Sequence, residues 1–320
     1  MRAVRLHQFG NPDVLRLEDV PDPAPGPGQV RVRVRAVGVN PYEAYIRSGS
    51  YGIRPPLPAI LGHDAAGEID TVGEGVNGWK PGDRVYTSRC ASGAYAELTV
   101  CDAKFVHRLP TACSFEQGSG VNVPYGTAYR ALFHRSRARA GEWVLIHGAS
   151  GGVGIAAVQL AVAAGCRVIG SAGTERGLQL VREQGAVVAV NHRQPGYESE
   201  IARASGGAGV DVILEMLANV NLDRDLGLLA KFGRVVVVGN RGRIEIDPRA
   251  TMAKESAILG MQLWAAGDDA VIEAHHAIAA GLANGTLRPV VGTVLPLAEA
   301  ARAHREILES PAYGKIVLVP

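Results

Sequence analysis

The sequence predicts an α/β protein in which a doubly wound parallel sheet is inserted in a β-rich domain. Three observations predict it. Residues 1 to about 110 show the two-residue alternation of half-buried strands between Gly/Pro turns. From about Ala112 to Trp264, short apolar runs alternate with helical segments, the pattern of right-handed crossovers in a parallel sheet. Within that region Glu142 to Gly165, EWVLIHGASGGVGIAAVQLAVAAG, reads as strand, glycine-rich turn and Ala-rich helix in immediate succession. A chain of 320 residues has room for about two domains.

Taken in order, Val30, Val32 and Val34 alternate with Arg31, Arg33 and Arg35, and strand-like runs follow at Arg84–Thr87 and Ala94–Val100. Asp22 to Gly28 is a stiff proline-rich loop, Asn40 to Tyr51 a loop and short helix, and Arg54 to Pro58 a second loop with three prolines. Phe115–Asn122 and Thr127–His134 read as helices. After the central strand, Val144 to Ile146, come strand-like runs at Arg167–Gly170, Val187–Val190, Val210–Leu214 and Arg234–Gly239, with a weaker one at Ala257–Met261. Helical segments between them include Gly177–Gln184 and Leu222–Leu229. A helix Asp268–Leu282, a strand Val290–Leu295, a short helix Ala298–Leu308 and a last strand Ile316–Val319 close the chain and are expected to return to the first domain. The expected divisions are 1–124, 125–264 and 265–320.

Charge is nearly balanced at +2, with no long run of either sign, so composition does not point to nucleic acid or a membrane surface. Arg135, Arg137 and Arg139 alternate on an expected loop and read as solvated charge. MRAVRLHQFG lacks the apolar region of a signal peptide, and the longest apolar run, Val153 to Ala164, is interrupted by Gln159 and too short for a bilayer. Cys90, Cys101, Cys113 and Cys166 form no CxxC and fit reduced thiols, which suggests a cytoplasmic protein.

The central stretch has the order a dinucleotide fingerprint requires. Gly151 and Gly152 let the backbone pass close under a pyrophosphate, and Gly154 lets the helix pack on its strand. The amides of the first helical turn then face the phosphates. Ala149 replaces the first glycine of the usual pattern. An NAD site normally carries Asp or Glu at the end of the second strand, on the ribose 2′-hydroxyl. Here that strand runs into Ser171-Ala172-Gly173-Thr174-Glu175-Arg176. Space, hydroxyls and a planar cation suit a 2′-phosphate, so the expected cofactor is NADPH.

The whole chain resembles the medium-chain dehydrogenase/reductase superfamily, specifically quinone oxidoreductases of the ζ-crystallin type. The strings that carry this are GVNPYEAYIRSGSY (Gly38–Tyr51), GHDAAGEIDTVGEGV (Gly62–Val76), GDRVY (Gly82–Tyr86), GAYAEL (Gly93–Leu98) and PYGTAYRAL (Pro124–Leu132). They continue as HGASGGVGIAAVQLA (His147–Ala161), EMLANVNL (Glu215–Leu222), VVVVGNRG (Val235–Gly242), IDPRATMAKES (Ile246–Ser256) and YGKIVLVP (Tyr313–Pro320). The resemblance implies a GroES-like catalytic domain, split in sequence by a Rossmann domain, with NADPH in the cleft between them. It places Tyr45 near the nicotinamide and Ser150, Gly151, Gly152 and Val153 on the pyrophosphate. Gly173 and His192 would approach the adenosine end, with Arg176 on the 2′-phosphate. Asn221, Val238, Gly239, Asn240, Arg241, Met261, Gln262 and Leu263 match further cofactor-contacting stretches. Asn40 and Tyr51 match polar residues around the substrate.

Zinc members of the superfamily hold catalytic metal with Cys, His and Cys. This sequence keeps only His63: the region of Asn40 lacks the first cysteine, Val123-Pro124 the second, and the four-cysteine structural loop is missing. No metal is therefore expected. Quinones need little activation, so the protein has mainly to position donor and acceptor and to offer a hydrogen bond from Asn40, Tyr45 or Tyr51 to the developing oxyanion. The expected activity is NADPH-dependent reduction of ortho-quinones. An alkenal or enone double-bond reductase is the enzymatic alternative, and an RNA-binding or crystallin-like role, known for some family members, the non-enzymatic one. The sheet edge near Ala257–Met261 would be exposed in a monomer, which suggests oligomerisation, and the resemblance implies a homodimer or homotetramer.

Overall fold

In the computed structural model, which describes residues Met1–Pro320, the Val/Arg alternation lies inside a long strand with its valines buried. Its arginines pair on the other face: Arg31 and Arg33 with Asp70, and Arg35 with Glu68 at 2.8 Å. In chain order the first elements are β1 (Arg2–Leu6), β2 (Leu15–Asp19), this strand β3 (Gln29–Val39), α1 (Pro41–Ser48), β4 (Ala59–Ile60) and β5 (Asp64–Val72). Then come β6 (Arg84–Thr87), β7 (Leu98–Asp102), β8 (Val106–Arg108), α2 (Phe115–Gly118) and α3 (Asn122–Tyr129). The alternating region supplies β9 (Trp143–Ile146), α4 (Gly152–Ala163), β10 (Arg167–Ala172), α5 (Glu175–Glu183), β11 (Val188–Asn191) and α6 (Tyr197–Ala204). It continues with β12 (Val210–Glu215), α7 (Ala218–Leu228), β13 (Leu229–Val237), α8 (Arg249–Lys254) and β14 (Ala257–Gly260). The chain closes with α9 (Asp268–Ala283), β15 (Val291–Pro296), α10 (Ala300–Glu309) and β16 (Lys315–Val319).

These elements form two compact units. The first comprises Met1–Val123, Asp268–Ser310 and Gly314–Pro320; the second comprises Pro124–Gly267 and the tripeptide Pro311–Tyr313. In the first unit a seven-stranded sheet runs β15-β16-β3-β5-β6-β8 with β7 also on β3, and a small sheet runs β2-β1-β4. The closing strand β16 lies antiparallel to β3, pairing Val317 with Gly38, so the last residues complete the first sheet. The core between these layers includes Val30, Val32, Ile69, Val85, Tyr95 and Leu318.

In the second unit six parallel strands are ordered β11-β10-β9-β12-β13-β14, a doubly wound sheet with the glycine-turn strand inside it. Its strands are apolar on both faces: Val144, Leu145, Ile146, Val168, Ile169, Val212, Ile213 and Leu214 are fully buried. The weak run at Ala257 forms β14, an edge strand whose Ile258 stays exposed.

Four local expectations shift. Phe115–Asn122 is not one helix: α2 ends at Gly118 after a Ser114–Gln117 capping box, and a new helix begins at Asn122. The helix expected at Thr127–His134 is the end of α3 followed by a π-helical stretch, Arg130–Arg135. The run at Ala94 becomes strand only from Leu98, because Gly93 adopts φ 79° in a turn where a side chain would strike the Ile60 carbonyl. The last central strand starts early, at Leu229, and the helix before it at Ala218.

Candidate active site

The sequence expectation for the cofactor has a simple spatial counterpart in the second unit. Each residue named there follows the carboxyl end of one strand of the parallel sheet. Ser150 to Val153 follow β9, Gly173 and Arg176 follow β10, and His192 follows β11. Asn221 stands in the helix after β12, Val238 to Arg241 follow β13, and Met261 to Leu263 follow β14. Ligands of open α/β sheets bind along this edge, where strand order reverses. Tyr45 alone among the cofactor candidates lies in the first unit.

The turn after β9 is shaped for close approach. Gly148 takes φ 57°, and a Cβ on Gly154 would lie 2.3 Å from the Gly148 carbonyl oxygen and 2.6 Å from Ala149 Cα. Ala149, in place of the usual first glycine, is fully buried and packs toward Gly170. The residue before α4 is Gly151, which has no side chain to cap the first-turn amides. Those donors, at the positive end of the helix dipole, fit a pyrophosphate.

At the end of β10 the fold brings Tyr313 and Arg193 to the residues that the sequence marks there. Thr174 caps α5, its Oγ1 accepting from Gly177 N at 3.1 Å, and the same oxygen lies 2.9 Å from the Tyr313 hydroxyl. The Arg176 guanidinium sits 4.2 Å above the Tyr313 ring. A Cβ on Gly173 would come within 2.8 Å of Arg193 Nε and 3.0 Å of His192 Nε2, so both side chains converge on this strand end. Tyr313 arrives here because its tripeptide belongs to the second unit, a long-range placement that no local pattern encodes.

Below the edge lies a buried trio. His147 Nε2 is 2.9 Å from Asp225 Oδ1 and 3.5 Å from Glu215 Oε2, while His147 Nδ1 contacts Ser171 Oγ at 3.2 Å. Glu215 Oε1 accepts from Leu217 N and from Asn221 Nδ2, which fixes Asn221 at the edge. Burial, the largest cause for each, pushes Glu215 up to about 7 and Asp225 up to about 6.

In the first unit the candidates surround α1. Asn40, buried, precedes the helix and its N–H donates to Glu43 Oε2 at 2.8 Å. Both halves of its amide are engaged: Nδ2 donates to Asp64 Oδ2 at 3.0 Å, and Oδ1 accepts from Lys315 Nζ at 2.5 Å. Lys315 also pairs with Asp64 at 2.8 Å, and Asp64 Oδ1 accepts from Asn122 Nδ2 and Val123 N. Gly38 makes this possible, because a Cβ there would lie 2.4 Å from Lys315 Cε. Tyr45 and Tyr51 are half-buried, and the Tyr45 carbonyl accepts from the backbone N–H groups of both Ser50 and Tyr51. Tyr42 lies between Tyr51 and His63, its ring centroid 6.3 Å from each.

The sequence leaves Asp64 and Lys315 unmarked, because Lys315 meets Asn40 and Asp64 only through the pairing of β16 with β3. The Asn-x-x-Glu spacing of a helix start could have singled out Glu43. Glu43 Oε2 also accepts from the Tyr95 hydroxyl at 2.7 Å, which in turn touches His304 Nε2 at 3.0 Å. Burial, and then the Asp64 charge, push Glu43 up to about 7.

The donor set around His63 does not fit a catalytic zinc. Asn40 and Val123 offer no thiolate, and both Asp64 oxygens are occupied by Asn40, Lys315, Asn122 and Val123.

Residues 26–111 match the alcohol dehydrogenase GroES-like domain, and residues 152–279 match the zinc-binding dehydrogenase family. Human quinone oxidoreductase is 49% identical over all of this chain and 98% of its own length. Quinone oxidoreductase 1 of Escherichia coli is 32% identical over 99% of both chains. The crystal structure of Escherichia coli quinone oxidoreductase complexed with NADPH superposes with a TM-score of 0.90 at 30% identity over both whole chains. An NAD-dependent alcohol dehydrogenase superposes with a TM-score of 0.93, also at 30% identity and full coverage of both. Matched end to end in sequence and fold, this chain belongs to the ζ-crystallin-type quinone oxidoreductases of the medium-chain dehydrogenase/reductase superfamily.

Proposed function

We propose that this protein reduces quinones with NADPH, without a metal. The observation that carries the cofactor choice is the end of β10, where Thr174, Arg176 and Arg193 stand in place of a ribose-binding carboxylate. A carboxylate there would repel a 2′-phosphate, whereas a planar cation held over Tyr313 can bind it through two parallel N–H groups. NADPH, when bound, supplies the hydride. The amides opening α4 hold its pyrophosphate, and Thr174, Arg176, Arg193 and His192 hold its adenosine end.

In the first unit the hydroxyls of Tyr45 and Tyr51 are the donors to the developing oxyanion of the acceptor. Asn40, with both halves of its amide engaged, contributes by fixing the start of the helix that carries Tyr45. The donor set around His63 supports a metal-free reaction, and a quinone acceptor needs no Lewis acid because its reduction is driven by aromatisation. The exposed edge at β14 supports assembly as a homodimer or homotetramer, and the buried, unpaired-by-disulfide cysteines support a cytoplasmic address.

NADPH consumption against an ortho-quinone, a para-quinone and an α,β-unsaturated aldehyde, with NADH as control and with and without a chelator, tests this reading. Rapid turnover of quinones with NADPH, unchanged by chelator, is expected. Turnover confined to the aldehyde would move the assignment to double-bond reduction, and equal rates with NADH would remove the part given to Arg176.

A further inference from the structure

Two of the four cysteines, eleven residues apart in sequence, meet inside the first unit. Cys101 lies on β7 and Cys90 in the segment after β6. A backbone bond from Ala91 N to the Val100 carbonyl, 2.8 Å, joins the two segments next to these cysteines. The sulfurs are 3.5 Å apart, with Cys101 Sγ donating to Cys90 Sγ. The remaining thiols lie elsewhere: Cys166, in the second unit, donates to the Arg139 carbonyl at 3.3 Å, and Cys113 follows β8.

We propose that Cys90 and Cys101 are a modification site, a dithiol that small hydroperoxides convert reversibly to a cystine in the folded protein. The two sulfurs are not equivalent. Cys90 keeps a trace of solvent access at 7% exposure, while Cys101 has none. The hydrogen bond from Cys101, with further help from the Thr87 and Thr99 hydroxyls, lowers the Cys90 thiol below its ordinary range; the same bond, and then burial, raise Cys101. Cys90 is therefore the nucleophile and Cys101 the resolving thiol.

The chemistry balances with hydrogen peroxide as the oxidant. Cys90 gives up its proton, the thiolate attacks one peroxide oxygen, the O–O bond breaks, and the leaving hydroxide takes up that proton, so Cys90 sulfenic acid and water result. The Cys101 sulfur then attacks the Cys90 sulfur, the S–O bond breaks, and the hydroxyl leaves as a second water carrying the Cys101 proton. Two thiols are oxidised and one peroxide is reduced to two waters. A dithiol reductant reverses the sequence. The site is not a remote one, since Cys90 Sγ and Thr87 Oγ1 both approach the His63 carbonyl, at 3.5 and 3.1 Å, beside Asp64.

The test treats the folded full chain with hydrogen peroxide, quenches with an alkylating agent and reads the peptides by mass. Both cysteines lie on the tryptic peptide Cys90–Lys104, and cleavage after Glu97 separates them unless a disulfide joins them. Expected is loss of two hydrogens from that peptide, halves that remain linked after Glu97 cleavage, and full reversal by dithiothreitol. C101S should stop at a Cys90 sulfenic acid that dimedone traps, whereas in C90S Cys101 should stay reduced. The circular dichroism and thermal midpoint of each variant establish that it is folded, and either folded variant suffices. Linkage to Cys113 or Cys166, a cystine that forms only after denaturation, or four alkylatable thiols after exposure would overturn the proposal.

Discussion

Lys315→Met is the sharpest test of how the first unit is held together. Lys315 and Asp64 are 5% and 0% exposed, and their charges are 2.8 Å apart. At an effective dielectric of about 20 that separation corresponds to roughly 6 kcal/mol of attraction, offset in the wild type by the cost of stripping water from both ions. Removing the ammonium leaves the carboxylate charged, buried and supported only by Asn40 Nδ2, Asn122 Nδ2 and Val123 N. An orphaned buried charge costs about 3–5 kcal/mol; those three remaining donors place the expected loss near the lower end, about 3 kcal/mol. The double variant Lys315→Met with Asp64→Asn removes the charge as well. Once Lys315 is absent the Asn40 amide can turn its oxygen toward the new Asn amide, so most of the loss should return, leaving about 1 kcal/mol. Guanidinium unfolding followed by circular dichroism and by tryptophan fluorescence measures both. A single-variant loss below about 1 kcal/mol, or a double variant less stable than the single, would show that the pair is solvated and the reasoning wrong.

Other expectations follow from the same geometry. Arg176→Ala should raise KM for NADPH by about 10-fold or more, the worth of a hydrogen bond to a charged group, with kcat and the NADH constants little changed; steady-state kinetics with both cofactors decide it. Gly154→Ala places a methyl 2.3 Å from the Gly148 oxygen and should abolish cofactor binding measured by calorimetry, because backbone cannot yield as a side chain can. Burial holds His107 and His304 at about 3, so each stays neutral in the fold and contributes stability that is present above its unfolded value and lost as pH falls toward 3. His107→Gln should therefore remove about 2 kcal/mol of the pH dependence between pH 6.5 and 5 in chemical unfolding. Glu43 acts in the opposite sense. Its folded value of about 7 lies above its unfolded one, so its contribution is present at low pH and lost as pH rises through 7. Glu43→Gln should flatten that limb.

The amino-acid sequence by itself determined the parallel sheet and its order of strand, turn and helix. It also set the candidate cofactor residues of the second unit along one edge of that sheet, because each signal is local: apolar strands, glycines where a Cβ would collide, and a helix start spaced along a few residues. The edge strand at Ala257 was legible for the same reason. Its blind spots were contacts between distant segments. Lys315 meets Asn40 and Asp64 only because β16 pairs with β3 across the whole length of the chain. Tyr313 reaches Arg176 and Thr174 only because three residues of the closing segment belong to the second unit. Cys90 and Cys101 read as separate reduced thiols until folding brought their sulfurs within 3.5 Å. Whether a polar side chain is free for substrate or committed to the scaffold, as Asn40 is, depends on which partners tertiary packing brings within about 3 Å. That distance is fixed by the closure of the sheet, and no window of neighbouring residues contains it.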